Sequence, residues 1–483
     1  MNIRQAIDDP AVFAPWFERG DWRAWRAFLA ALFALEMTDD ERAIYEKCTN
    51  RSVSPVEPFA EAALVIGRRG GKSFVLACVA VFLAAFRDYR PHLQPGERAT
   101  ILVVAADRKQ ARAIMRYAAG LLEGVPMLRP LIMRRSAEEI ELKRSVSIEV
   151  ATASYRTIRG RTLAAALLDE LAFWRSDELS ANPDGEIVAA VRPALATIPG
   201  AMLLMASSPY ARTGELWRVH KRHYGRDDSP VLVWQAPTRT MHPTIPQRLI
   251  DEAYEEDPAR AAAEYGAEFR VDIEAFLSRE VVEACVMPGR HELARIRAFN
   301  YVAFVDPSGG SSDSMTLAIA HREGSRAILD CTVEVRAPFS PEAVVTEFAA
   351  RLKSYGLAKV EGDRYGGEWP REAFRRHGIV YEPAEMFRSD LYLNLLPGLT
   401  SRRVELLDDE RLVGQLVSLE RRTARGGRDI IDHPPGGHDD LANAAAGALV
   451  RILGRGGGYT LANIRDPNEE VPLTLKHLLA KYR

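Results

Sequence analysis

The apolar residues of the N-terminal half fall into short, nearly continuous runs instead of alternating with polar ones. Such runs are typical of strands in a parallel sheet whose two faces are both covered. They lie at Ala62–Ile66, Thr100–Ala105, Ser147–Ala151, Ala164–Asp169 and Ala201–Ala206. Stretches with helical periodicity separate them, so residues 61–236 predict an α/β domain with a mostly parallel sheet.

The regions on either side of this domain have different patterns. Residues 1–60 predict helices with an aromatic face, and we expect this face to pack into the core and not to stack on an adenine base. Its members are Trp16, Phe17, Trp22, Trp25, Phe28 and Phe33. Prolines punctuate residues 237–275 around a polar helical stretch at Gln247–Phe269, which we interpret as a lid or a linker between domains.

A second strand-rich region occupies residues 276–455. Strands are predicted at Tyr301–Val305, Thr316–Ala320 and Ala327–Val335, the last two joined as a hairpin. A helix at Pro341–Tyr355, a strand at Ala358–Gly362 and a helix at Asp439–Leu453 follow. Residues 456–483 are loosely patterned, and we expect a tail that is either disordered or a docking arm.

The composition is that of a globular protein with no charge bias. Of the 483 residues, 47% are hydrophobic and 27% charged, and the formal net charge is −2, so a nucleic-acid surface would need local clusters of basic residues. The four scattered cysteines form no C-x-x-C pair, which fits a reducing compartment and argues against a zinc site. We expect no signal peptide and no membrane association, because the longest apolar run, Phe74–Phe86, is too short for a bilayer.

The segment between the first strand and the next helix holds the clearest chemical signal. A glycine-rich turn that enters a helix presents backbone N–H groups to phosphates, a lysine there reaches the β- and γ-phosphates, and a serine hydroxyl binds Mg²⁺. We therefore predict ATP binding by Gly67, Arg68, Arg69, Gly70, Gly71, Lys72 and Ser73. The usual first glycine of G-x-x-x-x-G-K-[ST] is replaced by Ile66, and the two arginines inside the loop are unusual.

Later strands supply the other groups that ATP hydrolysis requires. An apolar strand ends at Asp169 and Glu170. We predict that Asp169 holds the Mg²⁺ of ATP through water and that Glu170 is the catalytic carboxylate. The next strand ends in Ser207-Ser208-Pro209, where Ser207 either senses the γ-phosphate or belongs to an ordinary turn.

Acidic residues also end the elements of the second domain. Asp306 and Asp363 each follow a strand, and Asp439 and Asp440 begin the last helix. Three or four acids that converge from separate elements can hold the two metal ions of phosphodiester cleavage, about 4 Å apart. Carboxylate oxygens favour Mg²⁺ or Mn²⁺ over zinc.

These motifs together resemble the large terminase subunit of tailed bacteriophages. The resemblance rests on the arginine-bearing loop, Arg159-Gly160 before the acidic strand, Asp169-Glu170 and Ser207-Ser208-Pro209, and it extends to the segment Ala261–Phe269. It covers most of the chain. It implies an N-terminal P-loop ATPase of the ASCE type with a mostly parallel sheet, followed by a C-terminal ribonuclease-H-like nuclease domain.

The resemblance further implies a viral DNA-packaging motor. ATP hydrolysis would move double-stranded DNA into a procapsid, and a metal-dependent endonuclease would cut concatemeric DNA. The expected partners are double-stranded DNA, the small terminase subunit and the portal protein. A homo-oligomeric ring is expected when the chain is assembled on the portal, with a monomer as the alternative in solution. The expected location is the host cytoplasm.

The same resemblance suggests roles for single residues. Arg68 matches a loop arginine and Arg159 an arginine supplied by a neighbouring subunit, and which of them stabilises the transferred phosphoryl group stays open. Asp306, Asp363 and one or both of Asp439 and Asp440 correspond to nuclease metal ligands. Asn443 stands where that family often has a further acid, for which Asp313 is either a substitute or only a loop cap.

Basic residues are concentrated in residues 108–161 and in Arg421, Arg422, Arg425 and Arg428. We expect the first group to pair with Glu138, Glu139 and Glu141, and the second to contact the phosphate backbone of DNA without reading bases.

Two other interpretations fit the residues less well. A helicase-type or repair ATPase–nuclease would carry further arginine-bearing motifs after the third strand, and residues 210–240 hold no convincing ones. An inactive DNA scaffold is disfavoured by the complete sets of catalytic residues.

Overall fold

The computed structural model describes residues 1–18, 20–106, 108–152, 160–174, 183–311, 313–364, 368–423, 429–434 and 437–454. The chain divides into two compact units. The first comprises Met1–Phe276 and Val417–Gly437, and the second comprises Leu277–Leu416 and the segment that begins at His438.

The described strands are numbered in chain order. They are β1 (Glu61–Ile66), β2 (Ala99–Ala105), β3 (Ile132–Arg135), β4 (Glu139–Leu142), β5 (Val146–Thr152), β6 (Leu163–Asp169), β7 (Met202–Ser207), β8 (Val231–Ala236), β9 (Ile273–Ala275), β10 (Tyr301–Asp306), β11 (Met315–Glu323), β12 (Arg326–Val335), β13 (Lys359–Gly362), β14 (Val380–Pro383), β15 (Val404–Glu405), β16 (Glu420–Thr423) and β17 (Asp429–Asp432).

The described α-helices follow the same numbering. They are α1 (Ile3–Asp8), α2 (Ala14–Phe17), α3 (Arg23–Leu32), α4 (Asp39–Thr49), α5 (Lys72–Phe86), α6 (Arg108–Gly124), α7 (Pro183–Leu195), α8 (Gly214–His223), α9 (Thr238–Met241), α10 (Gln247–Glu256), α11 (Pro258–Glu264), α12 (Arg279–Glu283), α13 (Pro341–Ser354), α14 (Trp369–Arg376), α15 (Arg388–Thr400), α16 (Glu410–Ser418) and α17 (Asp440–Gly454).

The first unit is built on a sheet of eight strands in the order β3-β4-β5-β2-β6-β7-β1-β8. Neighbours from β5 to β8 are parallel, whereas β3 and β4 form an antiparallel edge. Strands β2 and β6 are buried along their whole length, which explains their continuous apolar sequences. The predicted parallel α/β sheet is confirmed, and β7 lies between β1 and β6 as the additional strand of the ASCE class.

Strands β3, β4 and β8 were not predicted from the sequence. The edge strand β3 is largely exposed and contains Arg134 and Arg135, so it lacks the apolar run that marks the central strands. Edge strands of this charged kind resist pairing with other chains.

Helices cover the sheet and form its core with the apolar strands. Helix α5 is buried over most of its length, as its uniformly apolar sequence predicts. The aromatic face of the N-terminal helices packs into the core: Trp25 and Phe28 are fully buried, and the Phe28 ring meets that of Trp234 at 5.5 Å between centroids. No helix in the described part of the chain is both long and apolar enough to cross a membrane.

The second unit is built on a sheet of six strands in the order β14-β13-β10-β11-β12-β15. Strands β10, β11 and β12 are antiparallel, and β13 and β14 continue the sheet parallel to β10. Helix α17 packs against β10, β11 and β12. This succession of hairpin, crossover strands and late helix confirms the ribonuclease-H-like fold class.

Residues 417–437 differ from the predicted domain organisation. We assigned them to the domain of residues 276–455, but they pack in the first unit. Strand β16 pairs with both β17 and β9, and Phe276 N donates to Leu419 O at 2.9 Å. Pairing between strands far apart in sequence is not visible in the local pattern of apolar residues.

Candidate active sites of the two units

Side chains from other elements hold the loop between β1 and α5 by hydrogen bonds to its carbonyl groups. Arg68 O accepts from Thr238 Oγ1 at 2.7 Å, Arg69 O from His242 Nδ1 at 3.0 Å, and Gly70 O from Trp25 Nε1 at 2.9 Å. The N–H of a trans peptide points away from its C=O, so the amide of Arg69 is turned away from Thr238 and the amide of Gly71 away from Trp25, while Gly70 N donates to Gly67 O. This arrangement suits a loop whose amides receive phosphate oxygens.

The glycine at the start of the loop is required by close packing. A Cβ on Gly67 would lie 2.4 Å from Thr238 Oγ1, 2.7 Å from Thr238 N and 2.7 Å from Tyr265 O. The usual first glycine of the motif falls one position earlier, on Ile66, which is a fully buried residue of β1. The first glycine of this loop is therefore one position later than in the usual motif, at the point where the backbone that follows β8 approaches the loop.

Lys72 is the first residue of α5 and is buried. Its Nζ lies 3.1 Å from Ile66 O and 3.5 Å from Glu170 Oε1. Gly71, which precedes it, has φ of 92° and caps the helix in a left-handed conformation. The lysine charge is thereby held between the loop and the acidic strand.

Ser73 and Asp169 form the candidate magnesium ligands of this site. Ser73 Oγ donates to Asp169 Oδ2 at 3.0 Å, and Asp169 Oδ1 is buried without a hydrogen-bond partner among the described residues. Burial, together with the charge of Glu170, raises the pKa of Asp169 to about 6. A buried carboxylate oxygen of this kind beside a hydroxyl fits a hard cation such as Mg²⁺.

Glu170 is held by the end of β7. Its Oε2 lies 3.2 Å from Ser207 Oγ and accepts from Ser208 N at 3.3 Å. The Glu170 backbone has φ of 52°, in the left-handed region that a non-glycine residue seldom adopts. Strands β1, β7 and β6 are neighbours, so their carboxyl ends bring the lysine loop, the serines and the acids to one edge of the sheet.

Of the two candidate arginine fingers, the structure describes Arg68. Arg68 is exposed, and its Nη1 donates to Glu264 Oε2 at 3.1 Å. Arg69 has φ of 65°. Arg159 lies outside the described residues.

In the second unit, Asp306 and Asp363 are brought together by Asn443. The Nδ2 atom of Asn443 donates to Asp306 Oδ2 at 2.8 Å and to Asp363 Oδ2 at 3.4 Å. Asn443 lies one turn into α17 and is fully buried, and its Oδ1 has no hydrogen-bond partner in the described part of the chain. Burial raises the pKa of Asp306 well above its ordinary value, and the charges of the nearby acids raise it further. The hydrogen bond from Asn443 offsets only part of this shift.

Asp439 and Asp440 have different surroundings. Asp439 is buried, and its two oxygens accept from Arg388 Nη1 at 3.0 Å and from Tyr392 Oη at 2.9 Å. Asp440 Oδ2 is buried and accepts no hydrogen bond from any described residue, and burial together with the charge of Asp439 raises the pKa of Asp440 to about 6. His438 Nδ1 lies 3.8 Å from this oxygen, and of the two acids Asp440 is the candidate metal ligand.

Asp313 is an exposed residue in the loop between β10 and β11. Its backbone carbonyl accepts from Ser308 Oγ at 2.7 Å, and its charge is among those that raise the pKa of Asp440. Both the ligand and the loop-cap interpretations of Asp313 remain predictions.

Several basic residues of the first group, residues 108–161, form ion pairs with acids. Arg134 contacts Glu139 and Glu141, Arg112 lies 3.5 Å from Glu138, and Arg135 pairs with Glu123. In the second basic group, Arg421 pairs with Asp429, and Arg422 Nη2 donates to Glu420 Oε2 at 3.1 Å. Arg425 and Arg428 lie outside the described residues.

Several residues of the two sites were missed from the sequence. Trp25, Thr238 and His242 hold the phosphate loop, and Arg388 and Tyr392 hold Asp439. None belongs to a motif. The placement of Thr238 could have been found only by knowing that β8 pairs with β1.

Comparisons with known proteins give structural neighbours only. No protein-family model matches the chain, and no curated protein does. Among solved structures the chain is similar to the large terminase of bacteriophage HK97, with 16% identity, 89% of this chain and 100% of that chain covered, and a TM-score of 0.39.

Two further structures show the same kind of similarity. The large terminase of a thermophilic bacteriophage in complex with ADP has 12% identity, covers 83% of this chain and 96% of its own, and has a TM-score of 0.38. The large terminase nuclease of the thermophilic phage G20c with bound magnesium has 18% identity, covers 36% of this chain and 98% of its own, and has a TM-score of 0.32. These neighbours are large terminases, the family that the motifs resemble.

Proposed function

We propose that this chain is the ATP-driven motor and endonuclease subunit of a viral DNA-packaging machine. The observation that carries the proposal is that one chain holds two separate sets of phosphate-transfer residues. The first set contains Lys72, Ser73, Asp169 and Glu170 at the carboxyl edge of a parallel sheet. The second contains the acids that surround Asn443 on a ribonuclease-H-like sheet.

The first set is arranged for hydrolysis of a nucleoside triphosphate. Lys72 is at the helix start, where it can reach the β- and γ-phosphates, and Ser73 and Asp169 would hold Mg²⁺. When bound, Mg²⁺ offsets the negative charge that develops on the phosphate oxygens. Glu170 would orient and deprotonate the attacking water. Its contacts with Ser207 and Ser208 would couple the presence of the γ-phosphate to the position of β7.

An arginine would stabilise the transferred phosphoryl group. Arg68 can act within its own subunit only if it leaves its ion pair with Glu264. Arg159 is the alternative, supplied from a neighbouring subunit of a ring. Both assignments are part of the proposal.

The second set is arranged for cleavage of a phosphodiester. Asp306, Asp363 and Asp440 would hold two Mg²⁺ or Mn²⁺ ions, which when bound polarise the scissile phosphate and activate water. Asp439 is paired with Arg388 and accepts a hydrogen bond from Tyr392, and we assign it the role of fixing the start of α17. Double-stranded DNA, the small terminase subunit and the portal protein are the proposed partners, and the host cytoplasm is the proposed location.

Variants that separate the two activities test the proposal. In the full chain, Glu170→Gln is expected to lower ATP turnover at least about 100-fold while nucleotide still binds and plasmid nicking with Mn²⁺ persists. Asp363→Asn is expected to abolish nicking and to retain ATP turnover. Glu186→Gln, at an exposed position of α7, is the matched control.

Each half of the proposal can fail on its own. Unchanged ATP turnover in Glu170→Gln would contradict the ATPase assignment. Unchanged nicking in Asp363→Asn would contradict the nuclease assignment. Melting temperatures of all variants identify any loss of folding.

A further inference from the structure

An exposed aromatic side chain lies beside the carboxylate cluster of the second unit. Phe387 follows β14 and immediately precedes α15, and 58% of its surface is exposed. Single exposed apolar residues are common on proteins and need no explanation. Phe387 differs because the segment that carries it is fastened to the residues next to the proposed metal ligands.

The first attachment is through Arg364, which directly follows Asp363. Arg364 Nε donates to Ala384 O at 2.7 Å, and Arg364 Nη2 donates to Glu385 O at 2.9 Å. The guanidinium carbon lies 5.1 Å from the centroid of the Phe387 ring. Arg364 therefore supports the ring as well as the backbone before it.

Two more attachments place the segment at the same edge of the sheet. Ala384 N donates to Gly362 O, the residue before Asp363, at 2.8 Å. Arg388, the residue after Phe387, donates through Nη1 to Asp439 Oδ1 at 3.0 Å. Because β13 and β14 are parallel, the chain leaves both strands at the edge where Asp363 lies.

We propose that Phe387, supported by Arg364, is a stacking platform for an unpaired nucleobase next to the scissile phosphate. This inference rests on the proposed nuclease function. A DNA strand that delivers its phosphate to the acids would lie near this segment, because Ala384 is hydrogen-bonded to the residue before Asp363 and Arg388 to the residue before Asp440. Aromatic rings bind bases by stacking without reading sequence, and an arginine adds a cation–π contribution.

The test compares three variants at this position in the full chain. Phe387→Ala is expected to raise the KM for Mn²⁺-dependent cleavage of an oligonucleotide duplex about tenfold, with a smaller effect on kcat. Phe387→Trp should restore the KM, because it can still stack, whereas Phe387→Leu should not, although it is apolar. Val380→Ala, an exposed apolar residue at the opposite end of β14, is the control.

A binding measurement keeps the inference separate from the nuclease assignment. With Ca²⁺ in place of Mn²⁺, a 2-aminopurine base in an unpaired overhang of the duplex should lose fluorescence on binding to the wild type and less on binding to Phe387→Ala. If the wild type cuts no DNA, the nuclease assignment fails, and this quenching still decides whether the ring stacks. Equal KM values and equal quenching in the wild type and Phe387→Ala, or full activity in Phe387→Leu, would overturn the proposal.

Discussion

The side-chain amide of Asn443 donates a hydrogen bond of 2.8 Å to the carboxylate of Asp306. The same nitrogen lies 3.4 Å from Asp363 Oδ2. A neutral donor at the centre of several acids stabilises their ionised forms without adding charge. Asn443 therefore limits the repulsion within the cluster, which a carboxylate at this position would increase.

We expect Asn443→Asp to destabilise the metal-free protein by about 1–3 kcal/mol, because a buried hydrogen bond is replaced by repulsion between acids. Added Mn²⁺ should recover more stability in the variant than in the wild type, since the cluster gains a ligand. Thermal unfolding in EDTA and in Mn²⁺ measures both effects. Asn394→Asp, at an exposed position of α15, is the control, and equal melting temperatures for Asn443→Asp and the wild type would contradict the expectation.

Gly67→Ala is expected to impair ATP binding even though the residue is not the usual first glycine of the motif. The new Cβ would meet Thr238 Oγ1 at 2.4 Å and backbone atoms of Thr238 and Tyr265 at 2.7 Å, so the loop or the segment after β8 must move. Nucleotide affinity and thermal stability should both fall.

Two variants show whether this effect comes from the close packing. Adding Thr238→Ala to Gly67→Ala should restore only part of the loss, since the backbone contacts remain. Gly120→Ala in α6 has open space around the new Cβ and should stabilise the protein by up to about 1 kcal/mol. Full nucleotide affinity in Gly67→Ala would show that the loop does not depend on this contact.

Trp25→Phe should weaken nucleotide binding and cost about 1–3 kcal/mol of stability. The indole N–H donates to Gly70 O at 2.9 Å, and its removal leaves a carbonyl of the phosphate loop without its buried donor. Trp234→Phe is a matched control, because Trp234 is equally buried but donates to the sulfur of Met241. Nucleotide titration and chemical unfolding of both variants make the comparison, and equal nucleotide affinities would contradict a role for Trp25 in the loop.

The buried pair of His321 and Asp330 predicts a pH dependence of stability. His321 Nδ1 lies 2.8 Å from both carboxylate oxygens of Asp330, and burial raises the pKa of Asp330 to about 6. Because this pKa is above its unfolded value, the folded state binds the proton more tightly, and the stabilisation present below about pH 4 is lost as pH rises through about 6.

Asp330→Asn keeps an acceptor for His321 and removes this titration. The free energy of unfolding of the wild type relative to the variant should therefore fall by about 2 kcal/mol between pH 4 and pH 7. Urea unfolding at intervals of pH measures it. Parallel pH profiles for the two proteins would contradict the assignment.

Both fold classes could be predicted from the sequence because their signals are local. The apolar runs that become β2 and β6 and the wholly apolar α5 are buried, as their composition requires. The positions of the lysine loop and of the acids at or just after the ends of β6, β10 and β13 were predictable for the same reason, since each lies at the end of an element.

Other features depend on pairing between distant segments and were not predictable. The position of β8 beside β1 brings Thr238 against Gly67, and the pairing of β16 with β9 moves residues 417–437 into the first unit. Nothing in the residues around Thr238 or Glu420 indicates these partners, because they lie far away along the chain.

The sequence by itself determined which chemical groups this protein possesses and in which order its elements follow one another. Only the tertiary structure decided which of those groups meet. Arg388 and Tyr392 occupy the oxygens of Asp439, whereas Asp440 keeps one oxygen to which no described residue donates a hydrogen bond, and an amide joins Asp306 to Asp363. The physical reason is that residue type and periodicity are properties of neighbours in the chain. Burial, charge balance and hydrogen bonding in a site are set by residues that only folding brings within a few ångströms.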